Sequence, residues 1–544
     1  MTTTSTSPQA PVTGPARRTP SAAVAAAAGV VSGALTVAAA DLVAGLVAPD
    51  ASPVLAVGGA AVDRVPGALK DFAVATFGAY DKPVLLAGIG VVLVLLSALA
   101  GLLARHRPAA GLAVVGVLGA VGVFAAVTRP GTPGAVDVVR AAVPTLTGAA
   151  LGGLALHRLT CTSRSAPEIG AAQTACPAER GISSSDPSRS PRRRGVLRGL
   201  VAVGGAALLA GAGGRLLAAR RAAAVRPSDV VLPRPADPAP ALPAAVEVDV
   251  PGTTPFVTAN AGFYRVDTAL TVPRVDPAAW RLRLHGLVDR EVTLSLDDVL
   301  AMPLVERVLT LTCVSNEVGG RLAGTARWLG VPLKALLDKA SPQARADMVL
   351  STSDDGFTAS TPLAALLDGR EALLAVGMNG SPLPLEHGFP ARLVVPGLYG
   401  YVSATKWVTD LEVTRFDRAT AYWTRRGWAA QAPVKTFSRI DVPGSFARVP
   451  AGRTAVAGVA WAQHRGIEAV EVRVDGGRWQ AARLAAVPST DTWRQWVWEW
   501  DADPGQHTLE VRATDATGEP QPQTRRPPRP DGATGWHSVV VRVG

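Results

Sequence analysis

The sequence predicts a multi-domain chain: an α-helical membrane segment of five spans, then an α+β domain, then a C-terminal all-β sandwich. Three observations carry this. Ala, Val, Leu and Gly are concentrated in the first 220 residues, whereas the remainder has an ordinary globular composition. Several apolar runs in the first part approach the roughly 20 residues needed to cross a bilayer core. Beyond residue 246, short alternating strands mix first with short helices and then with turn signals alone. At 544 residues the chain is also too long for one ordinary core.

Residues 1–23 are rich in Thr, Ser and Pro, carry Arg17 and Arg18, and read as a disordered cytoplasmic tail. A membrane domain over 24–221 follows. Its apolar segments lie near 24–48, 83–104, 110–127, 138–157 and 195–218. Asp63, Arg64, Pro66, Lys70 and Asp71 break the stretch 52–80, which reads as an extramembrane loop with amphipathic pieces. Arg17, Arg18, Arg105, Arg107, Arg158, Arg164, Arg180, Arg189 and Arg192 to Arg194 all fall on one side of this arrangement. They mark the cytoplasm, and five spans then place everything after about residue 220 outside. Much of the net charge of +11 sits in these Arg clusters, and no nucleic-acid recognition module is visible, so no nucleic-acid partner is expected. The implied partner is the lipid bilayer.

Asp41 lies within the first span, where a charge is a functional hint, but it equally suits a helix end. His106 and His157 stand at span termini and are not paired at mid-membrane depth, which argues against a haem held between the helices. The domain reads as an anchor. Arg193-Arg194-Gly195-Val196-Leu197-Arg198 before a Gly/Ala-rich apolar run is similar to a twin-arginine export signal, with an ordinary positive-inside anchor as the alternative. Residues 222–245 are Pro-rich and read as a stiff, extended spacer.

From 246 to 430 the pattern is α+β. Trp280 to Gly286 alternates like a half-buried strand, and Ser295 is placed to cap a short helix through Leu300. Residues 305–313 form a strand that delivers Cys313 into the loop Val314-Ser315-Asn316-Glu317-Val318-Gly319-Gly320. The chain has three cysteines, and Cys161 and Cys176 lie in another region, so no disulfide partner is near. No Gly-x-Gly-x-x-Gly opens a helix after a strand, which argues against a dinucleotide site. The densest motif runs from Met378 to Trp407. It holds an Asn379-Gly380 turn, His387, Arg392 at the head of an apolar strand, a glycine loop, then Ser403, Thr405 and Lys406. Glycines that let backbone N–H groups approach, flanked by Arg and Lys, make an anion cradle.

Residues 431–544 carry strands near 456–461, 467–474 and 508–515, with a hairpin signal at Asp475-Gly476-Gly477. Several such strands in about 110 residues suggest an immunoglobulin-like sandwich without its disulfide. Trp493, Trp496, Trp498 and Trp500 read as core or interface rather than as a ligand site.

Four separated motifs in one order resemble the molybdopterin domain of the sulfite oxidase family across roughly 250–415. They are Thr-Leu-Thr-Cys313-Val-Ser-Asn316, Gly-Thr-Ala-Arg327-Trp328-Leu-Gly, Ser353-Asp354-Asp355-Gly356-Phe357 and the Met378-to-Trp407 block. The resemblance implies a Mo-molybdopterin cofactor, with Cys313 as the thiolate ligand to molybdenum and the catalytic centre. His387, Arg392, Ser403, Thr405 and Lys406 would hold the pterin and its phosphate. Asn260, Phe263, Tyr264 and Arg265, similar to the family's early Phe-Phe-x-Arg-Asn-His stretch, would touch the pterin, as would Asn316 and Asp355. Soft sulfur suits molybdenum and leaves a position open for oxygen-atom exchange. The last domain resembles the family's dimerisation domain, which implies a homodimer.

The departures bear on the substrate. The run is Phe263-Tyr264-Arg265-Val266-Asp267-Thr268, so either Arg265 is shifted by one or the family's Arg is Val266, and its His is Thr268. Val376 stands where the family carries a catalytic tyrosine. The expectation is a membrane-anchored, outward-facing molybdenum oxidoreductase transferring oxygen to or from a small molecule other than sulfite, with an unidentified electron-transfer partner. The competing classes are a non-catalytic membrane-tethered binding or scaffold protein, and a transporter built on the five spans.

Overall fold

A computed structural model describes residues 20–47, 51–65, 76–77, 81–129, 135–162 and 191–544. The expected tail and the Arg-rich link at 163–190, with Cys176, lie outside these apart from residues 20–23. The chain divides into two compact units, Met1–Ala223 and Ala224–Gly544.

The first unit is helical: α1 (Ala22–Val47), α2 (Pro53–Arg64), α3 (Asp81–His106), α4 (Pro108–Val127), α5 (Ala135–Thr162) and α6 (Pro191–Ala224). Among the described residues, five helices are long and apolar enough to cross a membrane: 22–47, 82–106, 108–127, 135–160 and 194–221. These match the five expected spans to within a few residues. Small residues let the helices approach closely. A Cβ on Gly152 of α5 would meet the Thr36 side chain of α1, and one on Gly29 of α1 would meet the Ser97 carbonyl of α3. The region expected as a loop after the first span contains α2, whose Ala56 packs with Ala125, Ala126 and Ala141. Asp41 accepts a hydrogen bond from Ser52 Oγ at 2.7 Å.

The second unit begins with the residues expected as a stiff, extended spacer. They are extended, but laid onto the domain: Val230, Leu232, Ala239 and Leu242 pack against its core, and Asp237 bridges Val305. Proline stiffness removes chain entropy without forbidding apolar contact, and the apolar residues between the prolines find the core.

The α+β part contains β1 (Arg281–Gly286), β2 (Val292–Ser295), α7 (Leu296–Leu300), β3 (Val305–Thr312), β4 (Ala323–Pro332), α8 (Leu333–Ala340), β5 (Met348–Ser353) and β6 (Thr358–Pro362). It continues with α9 (Leu363–Leu367), β7 (Leu373–Met378), β8 (Ser381–Pro382), β9 (Arg392–Val394), α10 (Gly400–Ser403) and β10 (Val408–Thr414). One sheet runs β2-β1-β10-β5-β6; the other runs β3-β4-β7-β8, with β9 also pairing β7. In β1, Leu282 and Leu284 point inward while Arg281 and Arg283 face out, the period-2 pattern of the sequence. Ser295 caps α7 in a capping box with Asp298.

The C-terminal part has β11 (Phe437–Val442), β12 (Arg448–Val449), β13 (Gly452–Trp461), β14 (Ile467–Val474), β15 (Gln480–Ala481), β16 (Arg483–Leu484), β17 (Arg494–Ala502), β18 (Gly505–Asp515) and β19 (His537–Val543). They form two sheets, β11-β13-β17-β16 and β12-β19-β18-β14-β15. Trp496, Trp498 and Trp500 alternate inward along β17 and share a core with Val472, Leu509, Val511 and Val541 of the facing sheet. The part beyond the boundary expected at 430/431 has this core of its own, and it also lends residues to the core before it. Phe437, Val459, Trp461 and Trp493 belong to the same apolar cluster as the α+β part.

Candidate active site

Cys313 follows β3 directly. Its N–H bonds Leu322 O at 2.9 Å, and its own carbonyl accepts from Asn316 N at 3.1 Å, which closes a tight turn under the thiol. Asn316 Oδ1 accepts from Leu322 N at 2.7 Å and ties the loop back on itself. The thiol is free and buried. Burial pushes its pKa up, against hydrogen bonds from Ser315 that pull it down.

The Asn379-Gly380 turn organises the opposite wall. Both residues have positive φ, 50° and 78°, which a two-residue hairpin between β7 and β8 requires. Asn379 Nδ2 then donates to Thr258 O and to Asn260 Oδ1, at 2.9 and 2.8 Å. Asn260 O in turn pairs with His387 Nε2 at 2.9 Å. A carbonyl only accepts, so Nε2 carries the ring proton. Burial, with a smaller contribution from Arg392 and Lys406, holds His387 below its ordinary pKa. The same stretch presents Phe263, which stands edge-on to Trp328 and to His387, and Tyr264 stacked beside it. Burial raises the Tyr264 phenol, which also feels Cys313.

Arg392 begins β9 and is 6 % exposed. Its guanidinium reaches the carbonyls of His387, Ala404 and Leu393 and lies 5.1 Å over the Trp328 ring. No carboxylate neutralises it among the described residues, and burial pushes its pKa down to about 10. Lys406 differs. Its ammonium is 2.7 Å from Asp267 and 3.1 Å from Glu386 O, and burial pushes it down to about 8 against the pull of Asp267. Asp267 also holds Arg265 at 2.8 Å.

These groups enclose a cleft of about 930 Å³ including its open mouth. Of the residues expected from sequence, Cys313, Phe263, Tyr264, Asp355, His387, Arg392 and Lys406 line it. Asn260, Arg265, Asn316, Ser403 and Thr405 are not among its lining residues. Ser403 Oγ donates to Leu398 O and Tyr399 O, and Thr405 Oγ1 pairs with Ser351 Oγ at 2.7 Å. Asp355 lines the cleft while holding its own turn through Ser353 Oγ and Phe357 N. Tyr401, Trp423 and Trp428 were not singled out, yet they form an aromatic wall, with Trp428 5.7 Å from Tyr401 and 6.1 Å from Trp423. The signal available was the density of aromatics in Tyr422-Trp423-Thr424-Arg425-Arg426-Gly427-Trp428.

A sulfur-ligated metal with an anionic tail fits these residues. Among the described residues no group of three or more His, Cys, Asp or Glu could hold a metal; Cys313 could supply one soft ligand to a metal that brings its others with it. The unneutralised Arg392 offers the anion partner.

Comparison with known proteins agrees. Residues 269–423 match the family of the oxidoreductase molybdopterin binding domain. The chain is 31 % identical over 343 residues to the mitochondrial sulfite oxidase of Homo sapiens, covering 54 % of this chain and 62 % of that protein. It is 30 % identical over 336 residues to the sulfite oxidase of Gallus gallus, covering 52 % and 72 % respectively. It is 36 % identical over 153 residues to the uncharacterized oxidoreductase YuiH of Bacillus subtilis (strain 168), covering 28 % and 74 %. The chain therefore belongs to the sulfite oxidase family of molybdopterin-dependent oxidoreductases, and its cofactor is Mo-molybdopterin. It spans 62 % of the length of the human relative.

Proposed function

We propose that this protein is a membrane-anchored, extracytoplasmic oxidoreductase that moves an oxygen atom to or from a small uncharged molecule, and that sulfite is not its substrate. The charge balance of the cleft supports this most directly. Among the described cations lining it, Lys406 shares Asp267 with Arg265, and Arg392 has no carboxylate partner. Arg392 serves one anion, the phosphate end of the cofactor, which leaves no second cation lacking a carboxylate partner for an anionic substrate. Arg265, the residue closest to the family's substrate-binding Arg, is paired with Asp267. Val376 is 2 % exposed in the apolar core.

When bound, the cofactor supplies a two-electron oxo-exchange centre. Cys313 would ligate the metal. His387 would donate no proton from Nε2, which Asn260 O occupies, and presents Nδ1 as an acceptor. Phe263 and Tyr264 would pack on the pterin, and the Tyr401–Trp423–Trp428 wall excludes water from the substrate side. Asn260, Asn316, Ser403 and Thr405 would act through the loops they fix, and Arg265 through Asp267. Electrons leave one at a time through a partner protein. The C-terminal sandwich, two sheets on one core, is read as immunoglobulin-like and as the surface of a homodimer. The test is turnover of purified, molybdenum-loaded protein on sulfite, alkyl sulfoxides and N-oxides. Turnover on an uncharged oxide at least tenfold above that on sulfite is expected; comparable turnover on sulfite overturns the assignment.

A further inference from the structure

The strand that delivers Cys313 is an edge strand. β3 pairs β4 on one side only, and unpaired edge groups that are buried need partners from elsewhere. They come from the C-terminal β part. Thr310 N donates to Asp491 O at 3.0 Å. Gln463 Nε2 donates to Thr310 O at 3.2 Å and to Thr312 Oγ1 at 2.7 Å. Trp493 N donates to Thr310 Oγ1 at 2.8 Å. Thr310, Thr312 and Gln463 are each 1 % exposed. The far end of the cysteine loop is held from the same side: Arg439 Nη1 donates to Gly320 O at 2.8 Å, and Gly319 lies so close to the His537 ring that a Cβ there would clash.

We propose that the C-terminal β part positions the metal ligand of its own chain, with Gln463 as the positioning residue that fixes Thr312 and therefore the direction of the Cys313 thiol. A dimer interface would not require these contacts, because they are buried within one chain. The amide reaches two acceptors on alternate residues of one strand edge, immediately before the ligand. That geometry restrains the strand's twist as well as its position. The proposal rests on Cys313 being the ligand; the thiol measurement that tests it does not.

The experiment uses the full chain in detergent, with Cys161→Ser and Cys176→Ser so that Cys313 is the only thiol, produced in cells unable to make the pterin. Alkylation of Cys313 by iodoacetamide is timed for Gln463→Met, Thr312→Val and Thr312→Ser, with Tm measured alongside. Gln463→Met and Thr312→Val should react at least tenfold faster than the parent at similar Tm, while Thr312→Ser, which keeps the acceptor, reacts at the parent rate. In cofactor-loaded Gln463→Met, the sulfur-to-molybdenum charge-transfer band should shift and kcat should fall with KM unchanged. Alkylation of Gln463→Met at the parent rate overturns the proposal. If that variant does not fold, equal rates for Thr312→Val and Thr312→Ser overturn it instead. Full molybdenum content in loaded Cys313→Ser would instead refute the ligand assignment.

Discussion

A buried thiol is by itself a weak functional signal, since free cysteine fills cores as readily as any small apolar side chain. Cys313 stands apart because Arg392, Tyr264 and His387 converge on the same cleft. Cys313→Ser should lose at least nine-tenths of the bound molybdenum, measured by elemental analysis. Arg392→Gln removes the cleft cation that has no carboxylate partner among the described residues and should lower cofactor retention at least tenfold, measured as pterin released per chain. The sequence reveals these residues because their chemistry is rare at such positions. It does not separate them from Asn260, Asn316, Ser403 and Thr405, which sit in the same motifs yet spend their side chains on neighbouring loops. Motif membership records that a residue is needed near a site; only the hydrogen bonds record which way it points.

The strands and turns were legible wherever period and punctuation agree. Asn379-Gly380 reads as a hairpin because both positions need positive φ, and Trp496, Trp498 and Trp500 read as core because they alternate. The edge partners of β3 were not legible, because Gln463 and Asp491 lie far along the chain and carry no local signal. Trp496→Ala should destabilise the second unit by about 3–5 kcal/mol, read by denaturant unfolding. His537 gives a pH-dependent counterpart. Its Nδ1 accepts from Ile440 N at 3.0 Å, and burial pushes the ring down to about 4. The unfolded chain binds a proton below its ordinary value of about 6.5 while the folded chain resists it, so stability is full above that pH and falls as pH drops towards 4. The loss is on the order of 3 kcal/mol, and it should shrink in His537→Asn, measured by unfolding at pH 7 and pH 4.

At the scale of the whole molecule, composition alone announced two kinds of chain, and the two compact units divide close to where the apolar segments end. The Pro-rich stretch reads from composition as stiff and extended, but composition does not report that Val230, Leu232 and Leu242 pack against a core. The proposed orientation has a direct check: Val231 is exposed, and Val231→Cys should react with a membrane-impermeant maleimide added to intact cells. The measurement that bears hardest on the whole reading is X-ray absorption at the molybdenum edge of the loaded chain and of whatever metal Cys313→Ser retains. About one molybdenum per chain, with one sulfur neighbour fewer in Cys313→Ser, is the expected result; the same metal content and the same sulfur count in both would contradict it.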